Sequence, residues 1–531
     1  MTNPAFNRRK LGRFADWQAF GLDLVREIRA RCGADYPVMY RIDLSLALQE
    51  TYGPRMEAVR TLRAFRDERT VDMTLDYMRK LVAVGVDMFD VDLGCYDNWW
   101  LPHPPGSMPP GCYLPLARLV KTCLAEQSVI SNAGLSVPVV AVGKLGYPDL
   151  AERALREGMC DMVMLARPLL ADPDWPLKAY AGNVAEIRPC IGDQEACLNS
   201  IPKGGHPQCT VNPRAGLEDV YPESLPPATT PRKVAVVGAG PAGLVCACTA
   251  AQRGHRVTLF DREAQIGGML WPGSVPKIKF DIANYLAYLK TWSGHIADVY
   301  DLTLALGVEA AAETLAAQNF NVIVTCTGGK PVTPSVEGVD LSHVVQAVDI
   351  FQHPALAAPV ERVVVIGGGE VGCEAAYFLA YELSKQVTVV EMLPYFMKEA
   401  CSANRGYLIH YLEKRGVDLL NCARVTRITP EHVVVAYNVS PTVPDPYVTW
   451  AVVLPENVVN PLAHPIKTKM ETIGLPADLV VLAAGFCADD ALYEACVQAH
   501  AAPEIHNIGD AFAPGNIFNA TKAGYAVGRV L

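Results

Sequence analysis

The chain has 531 residues, of which 50% are apolar and 19% charged, and its formal net charge is −10. Its length predicts several domains, and its composition excludes extended disorder. The negative charge gives no electrostatic reason to expect binding to nucleic acid or to an anionic membrane. The N-terminus lacks a signal-peptide pattern, and no apolar run approaches the ~20 residues that span a bilayer. We therefore expect a cytoplasmic protein whose 16 cysteines are thiols or metal ligands.

Four short β-branched patterns, each followed by a loop and a helix-like segment, occupy the first part of the chain. They start at Val38 (VMYRIDLS), Met88 (MFDVDLGC), Val137 (VPVVAVG) and Cys160 (CDMVMLAR). Strands that alternate with helical segments are typical of parallel sheets joined by crossover helices. We therefore predict an α/β fold for residues 1–187.

A cysteine-rich loop, predicted over residues 188–220, comes next. It reads RPCIGDQEACLNSIPKGGHPQC from Arg188, with cysteines at 190, 197 and 209 and Asp193 where a fourth thiolate would be expected. The residues alone leave open a metal cluster with an unusual ligand, a cluster site that has decayed, a zinc site or structural cysteines. The Pro-rich stretch at 221–232 predicts a linker to a new domain.

A strand–glycine–helix unit follows the linker, KVAVVGAGPAGLVCACTAAQRGHRVTLFD. Gly238, Gly240 and Gly243 have GxGxxG spacing, and Asp261 ends the next strand. In such a unit the glycines permit a tight turn, a close approach of the backbone to a pyrophosphate and close packing of helix on strand. The helix N-terminus attracts the phosphates, and the acid accepts a hydrogen bond from a ribose hydroxyl. We therefore predict a dinucleotide-binding site.

A second unit, RVVVIGGGEVGCEAAYFLAYELSKQVTVVE, repeats the pattern. Gly367, Gly369 and Gly372 form the turn, and Glu391 is the distal acid. Two such units, each with strand, helix and acid, form a far more specific signal than one. A carboxylate at Glu391 would repel a 2′-phosphate, which favours NADH over NADPH.

From Lys233 onward the chain resembles the flavoprotein reductases that have two dinucleotide-binding domains. The resemblance lies in the two glycine units and in Gly267-Gly268, TCTGGKPVTP from Thr325, LAAGF from Leu482 and IGDAFAPGNIFNATKAGYAVG from Ile508. It implies FAD at the first unit and NAD(H) at the second, in interleaved Rossmann-like domains: FAD domain at 233–350 and 476–531, NAD(P) domain at 351–475. It further implies that Gly268, Gly509 and Asp510 bind FAD, the acid through the ribityl chain.

The first part resembles the later strands of the old yellow enzyme-type FMN barrels, through YRIDL, VGKLGYPD and MVMLARPLLADP. The whole chain is similar to the fused group that contains 2,4-dienoyl-CoA reductase and trimethylamine dehydrogenase. The resemblance implies a partial (β/α)8 FMN barrel made of the later strands only. In it Arg41 would approach the flavin ring, while backbone at Gly143-Lys144 and Ala166-Arg167 would cradle the FMN phosphate, with the Arg167 guanidinium pairing it.

The same resemblance gives the cysteine loop a ligand pattern, C-x2-C-x3-C-x11-C. Cys190, Asp193, Cys197 and Cys209 fall on the four positions that ligate a [4Fe–4S] cluster in that group. An Asp ligand binds iron more weakly than a thiolate, so the implied cluster has an Asp or open corner, or is of the [3Fe–4S] type. A cluster lost altogether remains an alternative.

The chain departs from the group in two places. The first four barrel strands have no counterpart, so an upstream portion is missing, a second chain supplies that half, or the barrel has degenerated. At DVDLGCYDNWWLPHPP, from Asp90, the active-site His of the dienoyl reductases is absent, and Tyr96, Trp99 and Trp100 would line the site, with His103 further on. Trp99 aligns with an aromatic-bowl tryptophan that holds methylated amines by cation–π attraction.

These features predict an NADH-linked FMN/FAD/iron–sulfur oxidoreductase acting on a small molecule. Electrons would pass from NADH through FAD and the cluster to FMN, to reduce an activated C=C such as an enoate or dienoyl thioester. One alternative is oxidative N-demethylation or dehydrogenation of a small methylated amine. Another is an electron-transfer subunit that needs a partner chain to complete the barrel. Assembly into a homo-oligomer is left open.

Overall fold

A computed structural model describes residues 2–58, 62–449 and 465–531. The chain divides into two compact units, residues 1–166 and 167–531. In the part of the chain that is described, no helix is both long and apolar enough to cross a membrane.

The first unit is a parallel sheet with helices between its strands. Its strands are β1 (Met39–Asp43), β2 (Met88–Asp92), β3 (Val139–Ala141) and β4 (Met162–Val163). Its helices are α1 (Ala19–Cys32), α2 (Leu48–Tyr52), α3 (Arg55–Ala58), α4 (Val71–Ala83), α5 (Leu114–Glu126) and α6 (Pro148–Arg156). All four predicted strands of this region are confirmed.

The two faces of this sheet differ in burial. The order is β1-β2-β3-β4, with every pair parallel. Ile42 and Phe89 point into a core shared with α1, α4 and α5, whereas Met39 and Arg41 on the other face are each 49% exposed. Successive strands of a (β/α)8 barrel have this order, but four strands do not close a barrel. The partial barrel therefore remains a prediction.

The second unit contains the remaining elements. Its strands are β5 (Lys233–Val237), β6 (Arg256–Asp261), β7 (Leu302–Leu306), β8 (Val322–Thr325), β9 (Gly329–Pro331), β10 (Val344–Gln346), β11 (Arg362–Ile366), β12 (Gln386–Val390), β13 (Asp418–Leu420), β14 (Ala423–Ile428), β15 (His432–Asn438), β16 (Met470–Pro476), β17 (Leu479–Leu482), β18 (Phe486–Ala488) and β19 (Glu504–Asn507). Its helices are α7 (Arg167–Ala171), α8 (Trp175–Ala181), α9 (Pro241–Gln252), α10 (Leu270–Gly273), α11 (Phe280–Val299), α12 (Ala312–Ala316), α13 (Ala347–Gln352), α14 (Glu370–Tyr377), α15 (Ser402–Lys414), α16 (Ala491–Gln498) and α17 (Ile517–Gly528).

Two five-stranded parallel sheets organise this unit. The first has the order β19-β8-β5-β6-β7 and the second has the order β10-β17-β11-β12-β13. The chain leaves the first sheet after β8, builds the second, and returns to the first with β19 and α17, so the predicted interleaving of two Rossmann-like sheets is confirmed. Strands β10 and β17 pair within the second sheet although they lie outside 351–475. They are short and carry no glycine signal, which is why the sequence patterns gave a narrower range.

Candidate functional site

The first glycine turn connects β5 to α9 and is closely packed. Gly238 has φ of +113°, and a Cβ there would lie 2.2 Å from the Cys326 carbonyl oxygen. A Cβ on Gly243 would lie 1.8 Å from the Gly238 carbonyl oxygen. Gly240, the N-cap of α9, differs, since no described atom lies within 4 Å of its Cβ position. Two glycines are therefore needed for packing and the third leaves open space at a helix N-terminus, as a bound pyrophosphate requires.

A cleft of about 470 Å³ opens at this turn, a size typical of ligand sites. Predicted FAD-binding residues on its wall are Gly238, Gly240, Asp261, Gly268 and Asp510. Residues that the predictions did not name include Trp271, Cys326, Thr327 and Gln352. Gly509, next to Asp510, has φ of +64°, and a Cβ there would lie 3.0 Å from that of Ala242 in α9. The structure thus brings both ends of the interleaved domain to one cleft.

The acid at the end of β6 holds the turn in place. Asp261 Oδ2 accepts a hydrogen bond from the Ala239 amide at 2.6 Å, and Oδ1 accepts one from the Glu263 amide at 2.8 Å. An ionised carboxylate has about four lone-pair positions, so capacity for a ribose hydroxyl remains. Asp510 accepts from the Gly515 amide at 3.0 Å, and burial raises the pKa of its carboxyl. The residues of this cleft fit an FAD molecule.

The second glycine turn, between β11 and α14, repeats this construction. A Cβ on Gly367 would lie 2.3 Å from the Ala483 carbonyl oxygen, and one on Gly372 would lie 1.9 Å from the Gly367 carbonyl oxygen. Gly369, the N-cap of α14, again has no described atom within 4 Å of its Cβ position. The turn fits a second dinucleotide.

Glu391 has the same relation to the second turn that Asp261 has to the first. Its Oε2 accepts from the Gly368 amide at 2.6 Å and its Oε1 accepts from the Leu393 amide at 2.7 Å. The side chain is 9% exposed. Sequence reasoning assigned this acid to the preference for NADH over NADPH and did not foresee that it also fixes the turn.

The four predicted metal ligands lie close enough for their charges to interact. The charge of Asp193 acts on Cys190, Cys197 and Cys209, and that of Cys190 acts on the other two thiols. Burial is the main cause that raises the pKa of Cys197 and of Cys209 to about 12. Because iron is bound by thiolates, cluster binding here would release protons.

Asp193 is engaged by the protein itself. The Thr210 hydroxyl donates to its Oδ2 at 2.6 Å, and the Asn404 amide group donates to its backbone oxygen. Within the described residues, no group of three or more His, Cys, Asp or Glu side chains is arranged to hold a single metal ion. A cluster, whose ligands bind separate irons, needs a wider spacing. Three thiols, one buried and two partly buried, fit a cluster, whereas the fourth corner holds a carboxylate that already has a protein partner.

The cysteine loop is attached to both dinucleotide-binding sheets. Glu195 Oε1 accepts from the Cys401 amide at 2.6 Å, beside α15 of the second sheet. The Thr521 hydroxyl donates to the Thr210 carbonyl at 2.6 Å, and Lys522 Nζ donates to the Pro213 carbonyl at 2.7 Å, both from α17 of the first. These contacts join residues some 200 to 300 positions apart, so no local pattern predicts them.

A partly buried ion pair near the loop was also missed by sequence reasoning. Lys279 Nζ lies 2.5 Å from Glu374 Oε1, which joins the start of α11 to α14. The charge of Lys279 also acts on Asp193. The lysine lies in an unremarkable KIK segment, and we find no sequence signal that would single it out.

In the first unit, Arg41 is held by two carboxylates. Its Nη2 lies 2.6 Å from Asp92 Oδ2, and its Nη1 lies 3.3 Å from Asp90 Oδ2. Asp90 is 1% exposed, and burial raises the pKa of both acids against the opposing charge of Arg41. Arg41 thus lies on the open face of the sheet, and its approach to a flavin ring stays a prediction.

The other residues predicted to bind FMN follow β3 and β4, in loops and, for Arg167, at the start of α7. Gly143 and Lys144 both have positive φ, +105° and +51°, and a Cβ on Gly143 would lie 2.8 Å from Tyr113 Cδ2. Ala166 ends the first unit and Arg167 begins the second. The charge of Arg167 favours the thiolate forms of Cys190 and Cys197. Its pairing with an FMN phosphate remains a prediction.

The three predicted catalytic side chains form one aromatic stack after β2. Tyr96 and Trp99 stack with ring centroids 4.7 Å apart at 15°, and Trp99 and His103 stack at 4.0 Å and 29°. Tyr96 is 83% exposed, whereas Trp100 is buried. The stack leaves the Tyr96 ring accessible and uses part of the Trp99 ring surface for its own contacts. Its catalytic role is a prediction.

A family model of pyridine nucleotide-disulphide oxidoreductases matches residues 232–505, more than half of the chain and the part that carries both glycine turns. The chain belongs to this family.

Relatives of the oxidoreductase extend the match to its first part. Cinnamate reductase from Clostridium sporogenes is 30% identical over 513 residues, 96% of this chain and 68% of that protein. NADH oxidase from Thermoanaerobacter brockii is 32% identical over 437 residues, 81% of this chain and 62% of that protein. The structure of a 2-naphthoyl-CoA reductase is 27% identical to this chain, with a TM-score of 0.78. The match covers 100% of this chain and 71% of the reductase. The chain is thus a fused flavin oxidoreductase of the 2,4-dienoyl-CoA reductase and trimethylamine dehydrogenase type, and it spans about two thirds of the length of these two curated relatives.

Proposed function

We propose that this oxidoreductase uses NADH to reduce an activated carbon–carbon double bond, such as that of an enoate or a dienoyl thioester. The observation that carries the proposal is the pair of open glycine turns, at Gly240 and Gly369, on two interleaved sheets joined by one cysteine loop. Two relatives are named for reducing cinnamate and 2-naphthoyl-CoA, in which unsaturated carbons are conjugated to a carbonyl group, and this supports a reductase. The test is anaerobic NADH oxidation with enoates and enoyl thioesters as acceptors.

We infer a place for each redox group from these residues. The first cleft would hold FAD, the second turn NADH, the cysteine loop an iron–sulfur cluster, and the sheet face around Arg41 FMN. When bound, these groups would supply hydride transfer at the two ends and single-electron transfer between the flavins, in the order NADH, FAD, cluster, FMN. The chain itself positions them: the loop contacts of Glu195 and Thr210 hold the proposed cluster site between the two sheets.

The cluster proposal predicts the effect of Asp193→Cys. Because a carboxylate binds iron more weakly than a thiolate, and Asp193 already accepts a hydrogen bond from Thr210, we expect about three irons per chain in the wild type and about four in the variant, which supplies a fourth thiolate. Iron and sulfide analysis of the two anaerobically purified proteins, with electron paramagnetic resonance, measures the iron content of each. Thr210→Val, which frees the carboxylate, is the companion variant. Equal iron content in the wild type and in Asp193→Cys would contradict the proposal.

The preference for NADH predicts the effect of Glu391→Gln. The buried carboxylate carries a negative charge beside the turn, so its loss should lower the ratio of kcat/KM for NADH over NADPH by about tenfold or more. The amide oxygen of Gln can still accept from one of the two backbone amides. Asp261→Asn, the corresponding change at the first turn, should leave the ratio unchanged. If Glu391→Gln left this ratio unchanged, the acid would not select between NADH and NADPH.

A methylated amine is the second candidate substrate, because the exposed Tyr96 ring and stacked Trp99 offer π faces to a cation. Trimethylamine and dimethylglycine, tested beside enoyl thioesters, separate the candidates. Turnover of an amine that falls strongly in Trp99→Leu, with enoyl thioesters inert, would favour the amine.

We also propose that the open face of the first sheet is completed by further barrel strands, supplied by more of this polypeptide or by a second chain. The exposed Met39 and Arg41 support this, since parallel sheets are covered on both faces. Co-purification of a second polypeptide at equal stoichiometry would favour the electron-transfer-subunit alternative. Catalysis of substrate reduction by the single chain would exclude it.

A further inference from the structure

A second cleft, of about 390 Å³, lies among α9, α11 and α17. We call it the α11 cleft. Helix residues on its wall are Val245, Thr249, Tyr285, Tyr288, Leu289, Trp292 and Tyr525, and loop residues include Arg188, Asn212 and Arg214. It shares no lining residue with the FAD cleft. The site and the proposed electron path described above leave it without a role.

Two guanidinium groups give the α11 cleft a positive wall. Arg188 donates through Nε to the Tyr288 hydroxyl at 3.1 Å, and Arg214 donates through Nε to the Tyr221 carbonyl at 3.1 Å. Within the described part of the chain, no carboxylate forms a side-chain ion pair with either arginine, although the charge of Asp172 acts on Arg188. Glu223 also lines the cleft but is exposed to solvent. The terminal nitrogens of both arginines therefore offer donors suited to a carboxylate or phosphate.

Tyr525 supplies an observation of a different kind. Its side chain is 6% exposed, lines the cleft, and its hydroxyl has no hydrogen-bond partner among the described residues. A buried hydroxyl without a partner costs free energy, and such groups are usually satisfied by a water or a ligand. Burial raises the pKa of Tyr525, while the charges of Arg214, Arg529 and Arg188 oppose that shift, so three cations act on this one hydroxyl.

Aromatic rings on α11 give the cleft a flat apolar side. Tyr285 and Tyr288 lie with ring centroids 6.3 Å apart at 13°, and Tyr288 and Trp292 lie 6.3 Å apart at 7°. Spacings of three and four residues place these rings on one face of the helix. Such a row offers planar surface to a planar ring.

We propose that the α11 cleft binds a small organic anion whose carboxylate or phosphate is attached to a planar ring. The anion would accept from Arg188, Arg214 and the Tyr525 hydroxyl, and the ring would lie against Tyr288 and Trp292. The cleft also borders the cysteine loop. Val211 and Asn212, on the wall of the cleft, lie two and three residues after Cys209. A ligand here would thus sit beside the loop that joins the two sheets.

Isothermal titration calorimetry on the full FAD-loaded chain tests this inference. NAD+ is present at a saturating concentration to fill the proposed NAD(H) site at the second turn. The probes are AMP, phenylacetate and inorganic phosphate. We expect one ring-bearing probe to bind at one site per chain, about tenfold or more tighter than inorganic phosphate. Binding of AMP would indicate a phosphate ligand, and binding of phenylacetate a carboxylate ligand.

Variants connect the binding to the cleft. We expect Arg188→Gln and Arg214→Gln each to weaken binding about tenfold or more, and Tyr525→Phe to weaken it severalfold. Arg256→Gln removes an exposed arginine outside the cleft and should change nothing. FAD content confirms that each variant is folded. No binding by either ring-bearing probe, or affinities equal in the wild type and both arginine variants, would overturn the inference.

Discussion

Replacement of Gly240 by valine is expected to abolish FAD binding and leave the chain folded. Gly240 has φ of −72° and ψ of −179°, which valine adopts readily, and no described atom lies within 4 Å of its Cβ position. The added methyl groups would instead occupy the space in front of the α9 N-terminus that a pyrophosphate needs. Chromatography of released flavin should give less than about a tenth of the wild-type FAD.

Gly294→Val is the matched control for this change. Gly294 lies within α11, also with open space at its Cβ position, but away from the FAD cleft. The Gly294→Val protein should keep its FAD. A Gly240→Val protein that retains a full equivalent of FAD would place the flavin elsewhere.

The corresponding change at the second turn, Gly369→Val, should separate the two dinucleotide sites. Gly369 has φ of −70° and an equally open Cβ position. We expect FAD to remain bound, while kcat/KM for NADH with an artificial electron acceptor falls about a hundredfold or more, because the substitution blocks the pyrophosphate at α14. Loss of FAD in Gly369→Val, with NADH use intact in Gly240→Val, would reverse the assignment of the two turns.

Much of the fold could be predicted because the signals are local. The four strands of the first unit and the two strand–glycine–helix units show in short stretches of sequence, and the structure confirms them. The glycines at 238, 243, 367 and 372 could be singled out because only glycine permits their close contacts. Interleaving was implied by the resemblance to the flavoprotein reductases with two dinucleotide-binding domains.

The rest depends on contacts between distant residues. Nothing near Asp193 indicates that Thr210 binds its carboxylate, and the bond joining Thr521 to Thr210 spans 311 positions. The hydrogen bonds that Asp261 and Glu391 accept from backbone amides form only because folding brings the end of each strand next to its glycine turn. The α11 cleft combines three helices with a loop, so its arginines and Tyr525 carry no shared pattern in the sequence.

Cofactor stoichiometry of the anaerobically purified chain tests the central claim most directly. With FAD in the first cleft and a cluster in the cysteine loop, as proposed, we expect one FAD and about three irons, with matching sulfide, per chain. FMN found in addition to FAD would show that the first unit binds flavin without further barrel strands. A chain without FAD and iron, at full solubility and with both sheets folded, would contradict both assignments.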